Sequence, residues 1–233
     1  AAVGALAITF WKSPAPSTHP GPTPGASPPP PATRAPGDAA HSSNALLETN
    51  TPDPATHSAE FDPSDPVQLV NRGKEMIERG RLPEAIASYR AALAINPDDE
   101  DAHFSLGFAY ARARQTNDAV QAYTKALEAF PDYVEAHLNL GNLQIGLGQY
   151  TNAIEHFTTA LKIDPKYAAA WNSLGRALAE QGQAEDAIKP FSEAARLDPA
   201  YLEARFNLGM AFLKVGRLKD AESELQEILR VNP

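Results

Sequence analysis

Residues 168–201 read AAAWNSLGRALAEQGQAEDAIKPFSEAARLDPAY, and residues 100–133 read EDAHFSLGFAYARARQTNDAVQAYTKALEAFPDY. Superposed, both carry Leu-Gly at one point (Leu174-Gly175, Leu106-Gly107). An alanine follows twelve residues after the glycine, a ring sixteen after and a proline twenty-four after. The step runs on through the chain: Gly73, Gly107, Gly141, Gly175 and Gly209 lie 34 residues apart, as do Pro97, Pro131, Pro165, Pro199 and Pro233. A period this long, without slip, means one supersecondary unit used five times and stacked on itself.

Within each unit, apolar residues recur at three- and four-residue spacing in two stretches, and no run alternates as a strand would. A polar break separates the stretches at Gly80-Arg81, Arg114-Gln115, Gly148-Gln149, Gly182-Gln183 and Gly216-Arg217. Each unit is therefore expected to be two helices, the second ended by its X-Pro pair, because the residue before proline is pushed out of the α region. A glycine inside each first helix costs roughly 0.5–1 kcal/mol against alanine, which close packing must offset. The expected partner is the alanine row Ala85, Ala119, Ala153, Ala187 and Ala221, followed by Tyr89, Tyr123, Phe157 and Phe191. Pro190, past the first turn of its helix, is expected to bend it.

These residues resemble the tetratricopeptide repeat, whose signature is met by Trp171, Leu174, Gly175, Leu178, Ala187, Phe191, Ala194 and Pro199. The resemblance covers 66–233, with units 66–99, 100–133, 134–167, 168–201 and 202–233. It implies an all-α fold, a right-handed α-solenoid of five helix-turn-helix repeats, and a concave groove lined by the first helices. By the family's groove positions, the candidate ligand-binding residues are Asn71, Lys74, Phe104, Ser105, Phe108, Leu138, Asn139, Asn142, Asn172, Arg176, Phe206, Asn207 and Met210. The polar row Asn71, Ser105, Asn139, Ser173 and Asn207 is similar to the asparagine ladder of O-linked N-acetylglucosamine transferases. Amides both donate and accept, so such a row suits a ligand backbone of any sequence. Val70, Phe104, Asn172 and Phe206 depart from the carboxylate clamp of chaperone-binding members, which argues against a chaperone C-terminus as ligand.

Residues 12–65 have a different composition. They hold 13 of the 21 prolines, with Ser, Thr, Gly and Ala between them, and are expected to form a disordered linker. Ahead of them Ala1–Trp11 is an uncharged apolar run ending in Trp11-Lys12. It is expected to be the C-terminal part of a membrane anchor, since Trp and Lys gather where a span meets the interface. Few Lys and Arg in the linker lean the repeats to the non-cytoplasmic side.

The net charge of −9 argues against binding a phosphate backbone, which needs clustered Lys and Arg. There is no cysteine, hence no thiolate chemistry. No zinc spacing, phosphate-cradling loop or nucleophile elbow is present, so no catalytic residue, cofactor or small-molecule substrate is expected. His103 and His137 stand where the signature prefers bulk like Trp171, and read as packing residues. The acidic stretch Asp98 to Asp101 and the pair Asp65-Pro66 read as helix starts. The expected function is a non-catalytic protein-interaction scaffold that holds a peptide or helical segment in the groove and is tethered to a membrane. The alternative is the substrate-binding arm of a larger enzyme, such as a glycosyltransferase, with its catalytic domain beyond Pro233.

Overall fold

The computed structural model describes residues 61–231, so the anchor assigned to 1–11 and the linker up to residue 60 lie outside it. Among the described residues there are ten α-helices in five pairs. They are α1 (Pro66–Glu78) with α2 (Leu82–Ile95), α3 (Glu100–Arg112) with α4 (Thr116–Ala129), and α5 (Val134–Gly146) with α6 (Tyr150–Ile163). Then come α7 (Ala168–Glu180) with α8 (Ala184–Leu197), and α9 (Leu202–Lys214) with α10 (Leu218–Val231). Each helix packs chiefly on the one before and the one after, which makes an α-solenoid of five repeats.

The punctuation follows local chemistry. Asn96, Phe130, Asp164 and Asp198, each before a proline, leave the helix at φ between −122° and −133°. Within pairs, the first helix closes in a left-handed residue at Gly80, Arg114, Gly148, Gly182 and Gly216. The next amide then bonds five residues back, as Gln115 N–H does to the Tyr110 carbonyl at 2.9 Å. Arg114, at φ 59°, is the exception in this row of glycines. A side chain in that conformation costs roughly 1–2 kcal/mol, so Arg114→Gly is expected to raise stability by about 1 kcal/mol. An unchanged or lowered melting temperature would show that Arg114 makes contacts worth the strain.

Asp65 caps α1, accepting from the Val67 amide at 2.9 Å with Pro66 in the first turn, and Asp99 caps α3 through the Ala102 amide at 2.8 Å. The Arg72 guanidinium lies 4.8 Å from the Phe61 ring centroid, and the Asp62 amide donates to Gln68 Oε1 at 2.9 Å. Residues 61–65, which composition groups with the linker, thus fold onto the first helix.

One packing expectation needs correction. Gly73, Gly107, Gly141 and Gly175 face the rings, not the alanines, and Gly209 faces chiefly Leu225. A Cβ added at Gly141 would lie 2.6 Å from Phe157 Cε1, and at Gly175 2.6 Å from Phe191 Cδ1. The alanine rows pack tightly elsewhere: Ala85, Ala119, Ala153, Ala187 and Ala221 are all 0% exposed, and so are Ala92, Ala126, Ala160 and Ala194. Each buried ring supplies about 1.5–3 kcal/mol. Helix α8 continues as helix through the buried Pro190, which withholds the bond Asp186 would otherwise accept.

His103 and His137 are more than packing. At the fourth position of their units they reach the carbonyl of the boundary proline: His103 Nε2 to Pro97 O at 2.8 Å, and His137 Nε2 to Pro131 O at 2.9 Å. Trp171 Nε1 donates to Pro165 O at 2.9 Å and Arg205 Nε to Pro199 O at 3.2 Å in the same way. In units two to five, where a boundary proline precedes, the position supplies an N–H on a planar group, a need that bulk alone does not reveal.

Candidate peptide-binding groove

The first helices α1, α3, α5, α7 and α9 carry the candidate residues, and the structure divides them into two sets. One set is occupied by the fold itself. Phe104 stacks on Tyr133, with ring centroids 4.8 Å apart and planes at 24°, and also meets Tyr123. Leu138 is buried. Much of the polar row turns inward: Ser105 bonds the Tyr89 hydroxyl and Asn139 bonds that of Tyr123. Burial pushes the Tyr89 phenol up to about 12, with the Ser105 bond opposing. Burial raises Tyr123 likewise.

Asn172 is the most enclosed, at 1% exposure. Its Nδ2 donates to Tyr201 Oη at 3.0 Å and to Glu203 Oε1 at 3.3 Å, while its Oδ1 accepts from Asn207 Nδ2 at 3.0 Å. Asn172 therefore joins α7 to α9 and offers nothing to a ligand.

The second set remains open. Asn71 and Lys74 are exposed, and Phe108, Asn142, Arg176 and Met210 are half-buried; Phe206 is half-buried too but is engaged within the fold. Five of these, Lys74, Phe108, Asn142, Arg176 and Met210, share one register, 34 residues apart. Their chemistry varies along the row: cation, ring, amide, cation, thioether. Asn142 Oδ1 is buried without a hydrogen-bond partner, an acceptor whose desolvation nothing among the described residues offsets. Gln144 Oε1 on the same helix is in the same state, at a register held by Tyr110 and Leu178 in adjoining units.

Sequence reasoning passed over three tyrosines at the repeat boundaries, Tyr133, Tyr167 and Tyr201, although their 34-residue spacing was visible. Tyr133 Oη donates to Asp101 Oδ1 at 2.9 Å. Burial first, and then nearby carboxylates, raise all three phenols: Asp101 at Tyr133, Glu135 at Tyr167 and Glu203 at Tyr201. Tyr133 thus holds the second-position Asp101 directly, while Glu135 and Glu203, at the same position of later units, act on Tyr167 and Tyr201 through their charge. Among the described residues, no group of three or more His, Asp or Glu is arranged to hold a metal, and no helix is long and apolar enough to cross a membrane.

The family model described as the cilia and flagella-associated protein 70 C-terminal domain matches residues 99–232, and a tetratricopeptide-repeat model matches 73–113. No curated protein matches the sequence. Among solved structures, the crystal structure of MamA protein aligns with a TM-score of 0.66 at 22% identity, over 71% of this chain and 91% of that one. MamA 41-end from Desulfovibrio magneticus RS-1 gives 0.68 at 22% identity, over 74% and 97%. YrrB, described as a TPR protein with an unusual peptide-binding site, gives 0.64 at 22% identity, over 75% and 90%. At these identities the likeness is one of fold.

Proposed function

Because the chain belongs to the tetratricopeptide-repeat family, matched over 99–232 by the model of the cilia and flagella-associated protein 70 C-terminal domain, we propose that it is a non-catalytic scaffold that binds a peptide or helical segment of another protein in its concave groove. The observation that carries this reading is the open ninth-position row, Lys74, Phe108, Asn142, Arg176 and Met210, with a buried and unpaired acceptor at its centre. A turn of the half-buried Asn142 side chain would bring its unpaired Oδ1 to a ligand N–H, and Phe108 and Met210 offer apolar contact on either side. The peptide-binding site named for YrrB supports the reading by analogy of fold. In the same reading, Ala1–Trp11 attaches the scaffold to a membrane, with the repeats on the non-cytoplasmic side.

A displayed peptide library selected on the full chain tests the groove. Phe108→Ala with Arg176→Ala is expected to weaken the selected peptides about tenfold or more, with helicity unchanged. Equal binding by parent and variant would place the site elsewhere. For the tether, the full chain should sediment with lipid vesicles and a 61–233 fragment should not; equal behaviour of the two would remove the membrane from the proposal.

A further inference from the structure

The fourth position of the repeat has a partner on the second helix, and the pair differs from unit to unit. In the fifth unit, Arg205 Nη1 meets Glu224 Oε2 at 3.1 Å, with both side chains mostly buried. In the fourth unit the same register holds Trp171 and Pro190, and in the second His103 and Ala122. The third unit alone holds two histidines. His137 Nδ1 and His156 Nδ1 lie 2.9 Å apart, with ring centroids at 5.2 Å.

Hydrogen-bond chemistry fixes the protons. The Pro131 carbonyl only accepts, so His137 Nε2 carries hydrogen. Neutral His137 then has a bare Nδ1, and His156 must donate to it through its own Nδ1–H. A first added proton fits on His156 Nε2 with this bond intact. A second has to go to His137 Nδ1, where it sets two N–H groups and two positive charges face to face. We propose that the His137–His156 pair makes the middle repeat an acid-sensitive joint, closed near neutral pH and opened by protonation, in the helix that also carries Asn139 and Asn142.

The surrounding charges are few and mixed. Glu155 stands beside His156 on α6. By register with the hollow that Asp98, Lys125 and Glu128 form around His103, Asp132 and Lys162 stand near His137. On α4, Lys125 and Glu128 pair with each other, and α7 brings Arg176 and Glu180 at groove positions. Burial, and then His137, hold His156 below the ordinary imidazole value, against the pull of Glu155. The sign follows from linkage. A histidine that resists protonation in the folded state adds nothing to the pH dependence well above about 6.5, the unfolded value. As pH falls through that value the unfolded chain takes up a proton that the folded chain refuses, and stability drops until the folded value is passed.

Imidazole nitrogen spectra and amide hydrogen exchange on the full chain test the joint. At pH 7.5 the spectra should show His137 as the Nε2–H form and His156 as the Nδ1–H form. Between pH 7.5 and 5.5, after correction for intrinsic exchange, α5 and α6 should lose more protection than α7 and α8. His137→Arg with His156→Glu gives the middle repeat the fifth unit's pair, and His137→Trp with His156→Pro gives it the fourth unit's. Either variant should abolish the extra loss. Two bare Nδ1 atoms at neutral pH, uniform loss along the solenoid, or the same local loss in a folded double variant would each overturn the proposal. If neither variant folds, the spectra and the parent exchange profile decide.

Discussion

Gly141→Ala is expected to destabilise the protein, while Gly209→Ala stabilises it. Both glycines lie in the interior of a first helix, where alanine gains about 1 kcal/mol in helix propensity. At Gly141 the new methyl would sit 2.6 Å from Phe157 Cε1 and 2.8 Å from Cζ. That ring is 0% exposed and enclosed by Ala153 and Ala160, so it has nowhere to move. Overpacking of this kind costs about 1–3 kcal/mol and exceeds the propensity gain; Gly141→Leu should cost more still. At Gly209 the nearest atoms belong to the Leu225 side chain at 3.4 Å, ordinary contact with a flexible partner. Thermal melts of the two variants should therefore shift in opposite directions. Phe157→Leu should partly rescue Gly141→Ala, because it recreates the pairing of the last repeat. Parallel shifts, or no rescue, would refute ring contact as the reason for the glycine.

This contact also marks how far the sequence was legible. The period, helix ends and five pairs could be read directly, because turn and cap chemistry is local: a proline or left-handed glycine acts on its own neighbours. That the glycines required a close approach was also readable. Which atom approaches was not. A ring sixteen residues on and an alanine twelve on both lie on the facing helix, and only the rotation of that helix about its axis separates them. The groove divided for the same reason. Family positions say which side chains point inward, yet Asn172, Ser105 and Asn139 are satisfied by groups from other helices. Their spacing carries no sign of it. Lys74 stays exposed and Arg176 half-buried, and Asn142 Oδ1 is left without a partner among the described residues.

Asn172→Asp should be among the most damaging single substitutions, although it changes one atom. Asn172 Nδ2 gives two hydrogen bonds, to Tyr201 Oη and Glu203 Oε1, at a site with 1% exposure. A carboxylate there cannot donate to Glu203, and it places a second negative charge against that side chain. A buried charge left without compensation costs about 3–5 kcal/mol. The loss should depend on pH in a definite direction. Burial and Glu203 both favour the neutral acid, so the folded-state value at position 172 lies above the ordinary carboxylate value of about 3.9. The deficit is then full above the folded value and shrinks as pH falls toward the unfolded one, because the folded chain takes up the proton first. Urea denaturation of parent and variant from pH 8 to pH 4 should show the gap narrowing on the acid side. Asn172→Ala, which adds no charge but strands Asn207 Nδ2, should cost about 1–3 kcal/mol, with a gap that stays level across the range. A pH-independent deficit for Asn172→Asp would mean that solvent reaches the site. The amide would then be free to meet a ligand, and the division of the groove drawn from its burial would fail.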